Sequence, residues 1–527
     1  MSMPRWTEWM RPSMRDRVVV WSILLLTALD YMVRHQMHWN HPRSLGMTGW
    51  WLWDDQGYYI RAARAWAAGN LDPAQHWYLP GYPLLGAAFA WLTPVQPFYL
   101  PDLLCLIAFG WLFTWLTERL APDLRWTRIT GALVFFVTVA LSPLAMKSFV
   151  EPWTTTPTAP LTLASLLLAM RFWDRPSARS AALLGFATAS VLLFRPTDAG
   201  ILIGVVAGFA GAALMFQRLG WAATAKIMAA GIAGAAAPAL LVAGLQVAIF
   251  GWTTAGYIEQ SSRTGFEWRL LPLNWVTLFV SPMPLLPEGA GMAQIFPWIV
   301  PGVAGMAACL VAARGRALVR HALVITAVVA HCAVYLAYRD LHPPGLLRFS
   351  NYHYFKWVVP VFGLYAVYLV ALVFGTARAR WAWAAGLAAV VALFGWRAEW
   401  VTPAPGYRTD EAVVEAPRTL ILKQGLHSVL DGVRVGASGD FAPIFLAPYA
   451  MQAGGVTYVA NADLKSYPIP GGLMFTTLRP LAHGPAAVTF NPGVTLNPAA
   501  AAHIGRQTLV FGWPNWGRSW WRGQHAP

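Results

Sequence analysis

Two adjacent carboxylates, Asp54 and Asp55, open the stretch "DDQGYYIRAARAWAAG" shortly after the first long apolar run. A carboxylate beside a substrate hydroxyl can take its proton. One at the start of a helix can also simply cap it, since the helix dipole favours anions there. Three further segments hold reactive side chains. "SPLAMKSFVEPWTTTP" (142–157) carries Lys147 and Glu151 among Pro143, Pro152 and Pro157, which stop helix continuation and shape a loop. "LLFRPTDAG" (192–200) carries Arg195 and Asp198. "RDLHPPGLLRFSNYHYFKW" (339–357) carries Arg339, His342, Arg348, His353 and Lys356, with Tyr352 and Tyr354 between them. Guanidinium and ammonium groups suit phosphate oxygens, and aromatic rings suit an apolar chain attached to that phosphate. Each segment also has a plainer use: a snorkelling lysine, an ion pair holding a turn, interfacial anchors.

The elements that must position these residues are apolar. The 527 residues are 57% hydrophobic and 12% charged, against about 25% charged for a soluble domain. Segments 18–33, 98–118, 129–145, 158–173, 180–194, 199–216, 227–250, 296–313, 321–338, 357–375 and 381–396 read as membrane-spanning helices. The expected class is therefore an α-helical polytopic membrane protein with about 11 transmembrane helices. Its runs are too long and too uniformly apolar for a membrane β-barrel. The 29 tryptophans fit interfacial anchoring, with Trp50, Trp51 and Trp53 beside the aspartates.

Every second connection is short and arginine-rich: Arg119, Arg125 and Arg128; Arg171, Arg175 and Arg179; Arg218 and Lys226; Arg314, Arg316 and Arg320; Arg378 and Arg380. With Arg5, Arg11, Arg15 and Arg17 in the leading tail, this is the positive-inside pattern. It places the N-terminus in the cytoplasm and connections 34–97, 146–157, 195–198, 251–295 and 339–356 outside, with all four reactive segments. The formal charge of +15 is accounted for by topology and anionic lipid, so no nucleic-acid partner is expected. Cys105, Cys309 and Cys332 lie in apolar runs and read as packing residues.

Residues 1–397 form the expected membrane domain and 398–527 an extracytoplasmic soluble one. From Arg397 onward the net charge is only +3, and short apolar stretches such as "VTYVA" and "AAVTF" alternate with Gly and Pro, which predicts an α/β or β-rich fold.

The D-D-x-x-Y spacing over 54–58, the A-x-x-x-x-x-G that follows and the "PGYP" at 80–83 resemble the GT-C integral-membrane glycosyltransferases. The similar members use polyprenyl-phosphate sugars, as aminoarabinose transferases and protein O-mannosyltransferases do. The resemblance implies an inverting transfer of a sugar to an acceptor hydroxyl of a glycan, lipid or protein at the outer face, a bacterial inner membrane being the default location. Asp54 would be the base and Asp55 its support or the acceptor's. Lys147, Arg195, Arg348, His353 and Lys356 would hold the donor phosphate, and Glu151, Tyr58, His76 and Tyr82 would bind or support the acceptor. No obligatory metal is expected, because the D-x-D-type second-loop motif of metal-dependent relatives is missing from this sequence. The aminoarabinose enzymes favour Asp-Glu where this chain reads Asp-Asp. The rival expectation is a transporter or flippase of a lipid-linked saccharide, which would carry ionisable residues deep within its spans and an internal repeat.

Overall fold

The computed structural model describes residues 14–39, 54–122, 126–281, 290–341, 351–375 and 379–395, and strands with adjoining turns between 397 and 512. The chain divides into two compact units. The first comprises Met1–Glu259, Phe296–Cys332 and Tyr352–Val390; the second comprises Gln260–Ile295, Ala333–Asn351 and Val391–Pro527.

The helices in chain order begin with α1 (Met14–Trp39), α2 (Asp54–Ala67), α3 (Gly81–Phe89) and α4 (Tyr99–Leu120). Next come α5 (Thr127–Phe135), α6 (Pro143–Val150), α7 (Thr155–Asp174), α8 (Ala178–Ser190), α9 (Pro196–Gln217) and α10 (Trp221–Phe250). Then follow α11 (Gly256–Thr264), α12 (Leu271–Trp275), α13 (Met292–Ile295), α14 (Ile299–Ala312), α15 (Gly315–Ala337), α16 (Val358–Gly375) and α17 (Ala379–Phe394). Each expected span except 129–145 coincides with one of these helices. Among the described residues, α1, α4, α9, α10 and α15 are individually long and apolar enough to cross a bilayer. At 1.5 Å per residue, a helix of about 20 residues matches the ~30 Å hydrocarbon core. The bundle defines a polytopic integral membrane protein.

The expected straight span 129–145 is bent. Helix α5 runs through a π-helical stretch, Phe136–Ala140, and α6 then leaves at 82°. Pro143 lacks an N–H and sits in the first turn of the new helix. Ser142 caps that turn, its Oγ accepting from the Ala145 backbone N–H at 3.3 Å. The bend carries α6 and the loop after it sideways, so Lys147 and Glu151 lie on a short separate helix and its cap instead of at the mouth of a straight span.

Helix α2 forms as expected. Ala62 and Ala65 are buried, Tyr58 and Trp66 half-buried, and Arg61 and Arg64 exposed. The buried face is broader than the expected one, also taking in Tyr59, Ile60 and Ala63. These pack with Tyr78, Tyr82, Phe98 and Phe194 into one aromatic cluster that fixes α2 against α3.

The C-terminal region is β-rich and antiparallel. Strands β1 (Arg397–Val401), β2 (Ala412–Ala416), β3 (Thr419–Leu422), β4 (Asp431–Gly439), β5 (Pro448–Ala453) and β6 (Val456–Val459) come first. They are followed by β7 (Leu464–Ile469), β8 (Gly472–Thr477), β9 (Ala486–Phe490), β10 (Val494–Leu496), β11 (His503–Arg506) and β12 (Thr508–Gly512). One sheet has the order β2-β3-β9-β5-β6; another has β10-β4-β8-β7 with β11 also on β4; β1 pairs with β12. In β9 the alternation of a half-buried strand appears directly: Ala486, Val488 and Phe490 are buried, Ala487 half-buried and Thr489 exposed.

Candidate active site

The site is assembled within the first unit around the segment Glu151–Thr158. Glu151 caps the C-terminal end of α6, and Pro152 ends that helix. Trp153 and Thr154 turn the chain into α7, whose first residues, Thr155 and Thr156, are followed by Pro157. Four threonine hydroxyls thus cluster near one helix start, two of them bonding the Arg195–Asp198 turn and two the stretch before α16. Thr154 Oγ1 accepts from Arg195 Nη1 at 3.0 Å. Thr156 Oγ1 accepts from Lys356 Nζ at 2.7 Å. Thr158 Oγ1 donates to Asp198 Oδ2 at 3.0 Å. Thr155 Oγ1 lies 3.4 Å from His353 Nδ1. From the other side, Gln56 of α2 donates to the Pro152 carbonyl at 3.3 Å.

Three of the four reactive segments meet there. Arg195, the residue before α9, pairs with Asp198 at 3.5 Å, and both are buried. The Arg195 guanidinium also lies 4.9 Å from the Tyr354 ring centre. His353 stacks on Trp153 with centroids 3.9 Å apart and planes 7° off parallel. Burial pushes the His353 imidazole well below its ordinary value, and the nearby Arg195 and Lys356 cations push it the same way, so the ring is neutral. Lys356 is 1% exposed. Burial brings its ammonium down to about 7, against the opposing pull of Asp102 and Glu151, while Arg195 adds to the depression. Lys147 reaches Glu151 at 3.5 Å and remains 40% exposed.

Asp55 supplies the fourth direction. Its Oδ1 accepts a hydrogen bond from the Tyr78 hydroxyl. Tyr78 is fixed by Tyr59 at 4.5 Å and Tyr257 at 4.7 Å between ring centres. Burial raises the Tyr59 phenol, which also feels Asp55 and Arg195 and bonds Thr154. That single side chain therefore adjoins both the carboxylate and the guanidinium. Tyr58, half-buried, stacks on Trp77 at 5.6 Å and carries Arg61 over its ring at 5.1 Å.

The remaining expected residues are placed as follows. Asp54 is the first residue of α2. Arg348 lies outside the described residues. His76 Nε2 is 2.9 Å from the Asn70 carbonyl oxygen and its ring lies against Trp66, so it pins the loop between α2 and α3. Tyr82 donates to both carboxylate oxygens of Asp102, at 3.0 and 2.9 Å.

Sequence reasoning passed over Asp102, Tyr59, Tyr78, Trp153 and the threonine run. Asp102 sits in the first turn of an apolar span and is 1% exposed. A lone acid in such a span is a signal for function. The run "TTTPT" after "EPW" was a second signal, since consecutive hydroxyls at a helix start are available to partners other than the helix itself.

The arrangement joins an acid held by a phenol, two buried cations and aromatic faces. Such a set can orient a hydroxyl, hold phosphate oxygens and stack a sugar ring.

No family model matches the chain, and neither does any curated protein. Among solved structures it is similar to ArnT from Cupriavidus metallidurans bound to undecaprenyl phosphate. That likeness has 15% identity and a TM-score of 0.41, over 72% of this chain and 64% of that one. It is also similar to the arabinosyltransferase EmbB from Mycobacterium smegmatis, with 14% identity and a TM-score of 0.31, over 96% of this chain and 66% of that one. The chain thus spans just under two thirds of the length of either structure. The functional reading below rests on the residues of the site.

Proposed function

We propose that the protein is an inverting glycosyltransferase that moves a sugar from a polyprenyl-phosphate donor to an acceptor hydroxyl on the extracytoplasmic face of the membrane. The observation that carries this reading is that Arg195 and Lys356 bond one threonine-lined turn, with Asp55 linked to it through Tyr59. Transfer with inversion needs a base on the acceptor side and positive charge on the leaving phosphate, and these groups supply both. The Tyr78 hydroxyl holds Asp55 in one orientation, which suits a residue that positions the acceptor. Asp54, one residue earlier at the head of α2, is assigned the proton. Lys356 and Arg195 face the phosphate, with Lys147 nearer water, and the neutral His353 donates to a phosphate oxygen without adding charge. Lys356, arriving uncharged on part of the molecules near neutral pH, becomes fully charged when phosphate is bound.

The test is label transfer by purified protein from a panel of radiolabelled polyprenyl-phosphate sugars to a total-membrane acceptor extract. Asp54→Asn should lower the rate by about 10²–10⁴-fold, the range of a general base, with donor binding retained. Asp55→Asn should chiefly raise the acceptor KM. Addition of a chelator should leave wild-type transfer intact. Full activity in both variants would remove the pair from the reaction. Donor movement across a reconstituted bilayer without transfer would establish the flippase instead.

A further inference from the structure

Lys356 is not part of a helix. It lies in a short turn between a 3-10 stretch that ends at Phe355 and the start of α16 at Val358. A lysine side chain is a flexible stem, so its ammonium is placed only as well as the backbone that carries it. Whatever fixes that backbone therefore fixes the cation.

His331 of α15 does so. It is 3% exposed, and its imidazole reaches residues on both sides of Lys356. Nε2 is 2.8 Å from the Tyr354 carbonyl oxygen. Nδ1 is 3.4 Å from the indole nitrogen of Trp357. A carbonyl oxygen only accepts and an indole N–H only donates. The ring is thus neutral, carries its proton on Nε2, and uses both nitrogens. The indole meets it edge-on, with ring centres 5.2 Å apart. Tyr354, tied by its carbonyl, also presents its ring to the Arg195 guanidinium at 4.9 Å and to the His353 ring at 4.0 Å. One side chain of α15 therefore clamps the stretch that carries His353 and Lys356.

Burial in the bundle does not by itself demand this. His321 stands on the same helix and is 1% exposed. Its Nδ1 lies 3.1 Å from the Tyr365 hydroxyl, and its Nε2 has no partner. Two bonds that bracket a buried lysine are what a supporting residue of a binding site supplies.

We propose that His331 is a positioning residue for the phosphate-binding cation: it holds the turn Tyr354–Trp357 so that Lys356 stays beside Thr156 and faces the leaving phosphate. The inference rests on the donor-phosphate reading of Lys356 and adds to it a residue that touches no substrate.

The experiment is titration calorimetry of the full chain in detergent with farnesyl phosphate, a short polyprenyl phosphate that carries no sugar. His331→Phe keeps a ring and loses both bonds. It should weaken binding on the order of tenfold, the value of one or two hydrogen bonds. In a Lys356→Met chain the same substitution should cost little more, because residues that act as one unit are not additive. Trp357→Phe removes only the bond to Nδ1. It should lose less than His331→Phe and be as silent beside Lys356→Met, and it carries the test if a thermal melt shows His331→Phe to be unfolded. NMR of the histidine ring nitrogens should show the proton on Nε2, in a signal that His331→Phe lacks. Additive losses beside Lys356→Met would make His331 a packing residue and overturn the proposal, with the phosphate assignment intact. Unchanged affinity in His331→Phe would do the same. A proton on Nδ1 at neutral pH would overturn the clamp itself. Failure of wild type to bind farnesyl phosphate would overturn the donor reading, and this inference with it.

Discussion

Lys356 concentrates the electrostatics of the candidate site. It hydrogen-bonds Thr156, sits 4.7 Å from the Phe149 ring centre, and is acted on by Asp102, Glu151, Cys105 and Arg195. Its ammonium is brought down to about 7 by burial, while the unfolded chain keeps a lysine near ~10.4. Between those values the unfolded state binds the extra proton, so this residue makes stability rise with pH across that window. Phosphate binding runs the other way: it needs the charged form and weakens as pH rises through about 7. Donor affinity measured by titration calorimetry should follow that fall in wild type. Lys356→Arg should flatten it, because a guanidinium stays charged. Lys356→Met should weaken binding on the order of 10–150-fold, the value of a charge-assisted bond of about 1.5–3 kcal/mol. An unchanged affinity in Lys356→Met would exclude Lys356 from the phosphate. The sequence showed the cations and acids because ionisable residues are rare in so apolar a chain. It did not show Tyr59 or Tyr78, because a tyrosine beside an apolar run has the same appearance whether it anchors at an interface or holds a carboxylate.

At the scale of elements, most helices were legible, because an apolar run about 20 residues long has one structural outcome in lipid. The exception at Ser142-Pro143 shows what length alone misses: one proline and its cap split a run that hydropathy joins. Packing was less legible still. Glycines are plentiful in α9 and α10, and α8 has Gly185, but composition does not tell which are contacts. The structure separates them. A Cβ added at Gly185 or Gly234 would fall 2.1 Å from a backbone oxygen of the facing helix, whereas one added at Gly204 or Gly208 would have nothing within 4 Å. Gly185→Leu and Gly234→Val should therefore push α8 and α10 apart, with a loss of at least about 1–3 kcal/mol from overpacking, visible as a lower melting temperature in detergent. Gly204→Ala should melt at or slightly above wild type, since alanine is the better helix former. Equal melting of Gly185→Leu and wild type would mean that the two helices are not in contact.

At the scale of the first unit, charged residues gather at two opposite sets of helix ends. Asp174 at the end of α7 takes Arg320 of α15 at 2.8 Å and Arg119 at the end of α4 at 3.9 Å. Glu118 takes Arg128 of α5 at 2.8 Å. The other end of α7 carries the turn from α6, and the Arg195 turn and the approach to α16 meet it there, where the candidate active site lies. This two-ended distribution is what alternating arginine-rich connections require of a bundle that threads the membrane repeatedly. On the orientation we propose, the arginine end is cytoplasmic and the Lys356 end extracytoplasmic, where a polyprenyl-phosphate sugar would be used. Single cysteines test the assignment, with little background because Cys309 and Cys332 are buried and Cys105 half-buried. Val95→Cys lies at an exposed position between α3 and α4, and Gly220→Cys at an exposed position between α9 and α10. A membrane-impermeant maleimide applied to intact cells should label Val95→Cys at once and Gly220→Cys only after permeabilisation. The reverse order would turn the site toward the cytoplasm. The carboxylates and cations would then face a pool of soluble nucleotide sugars, and the donor assigned to Arg195 and Lys356 would have to change from a lipid phosphate to a nucleotide one.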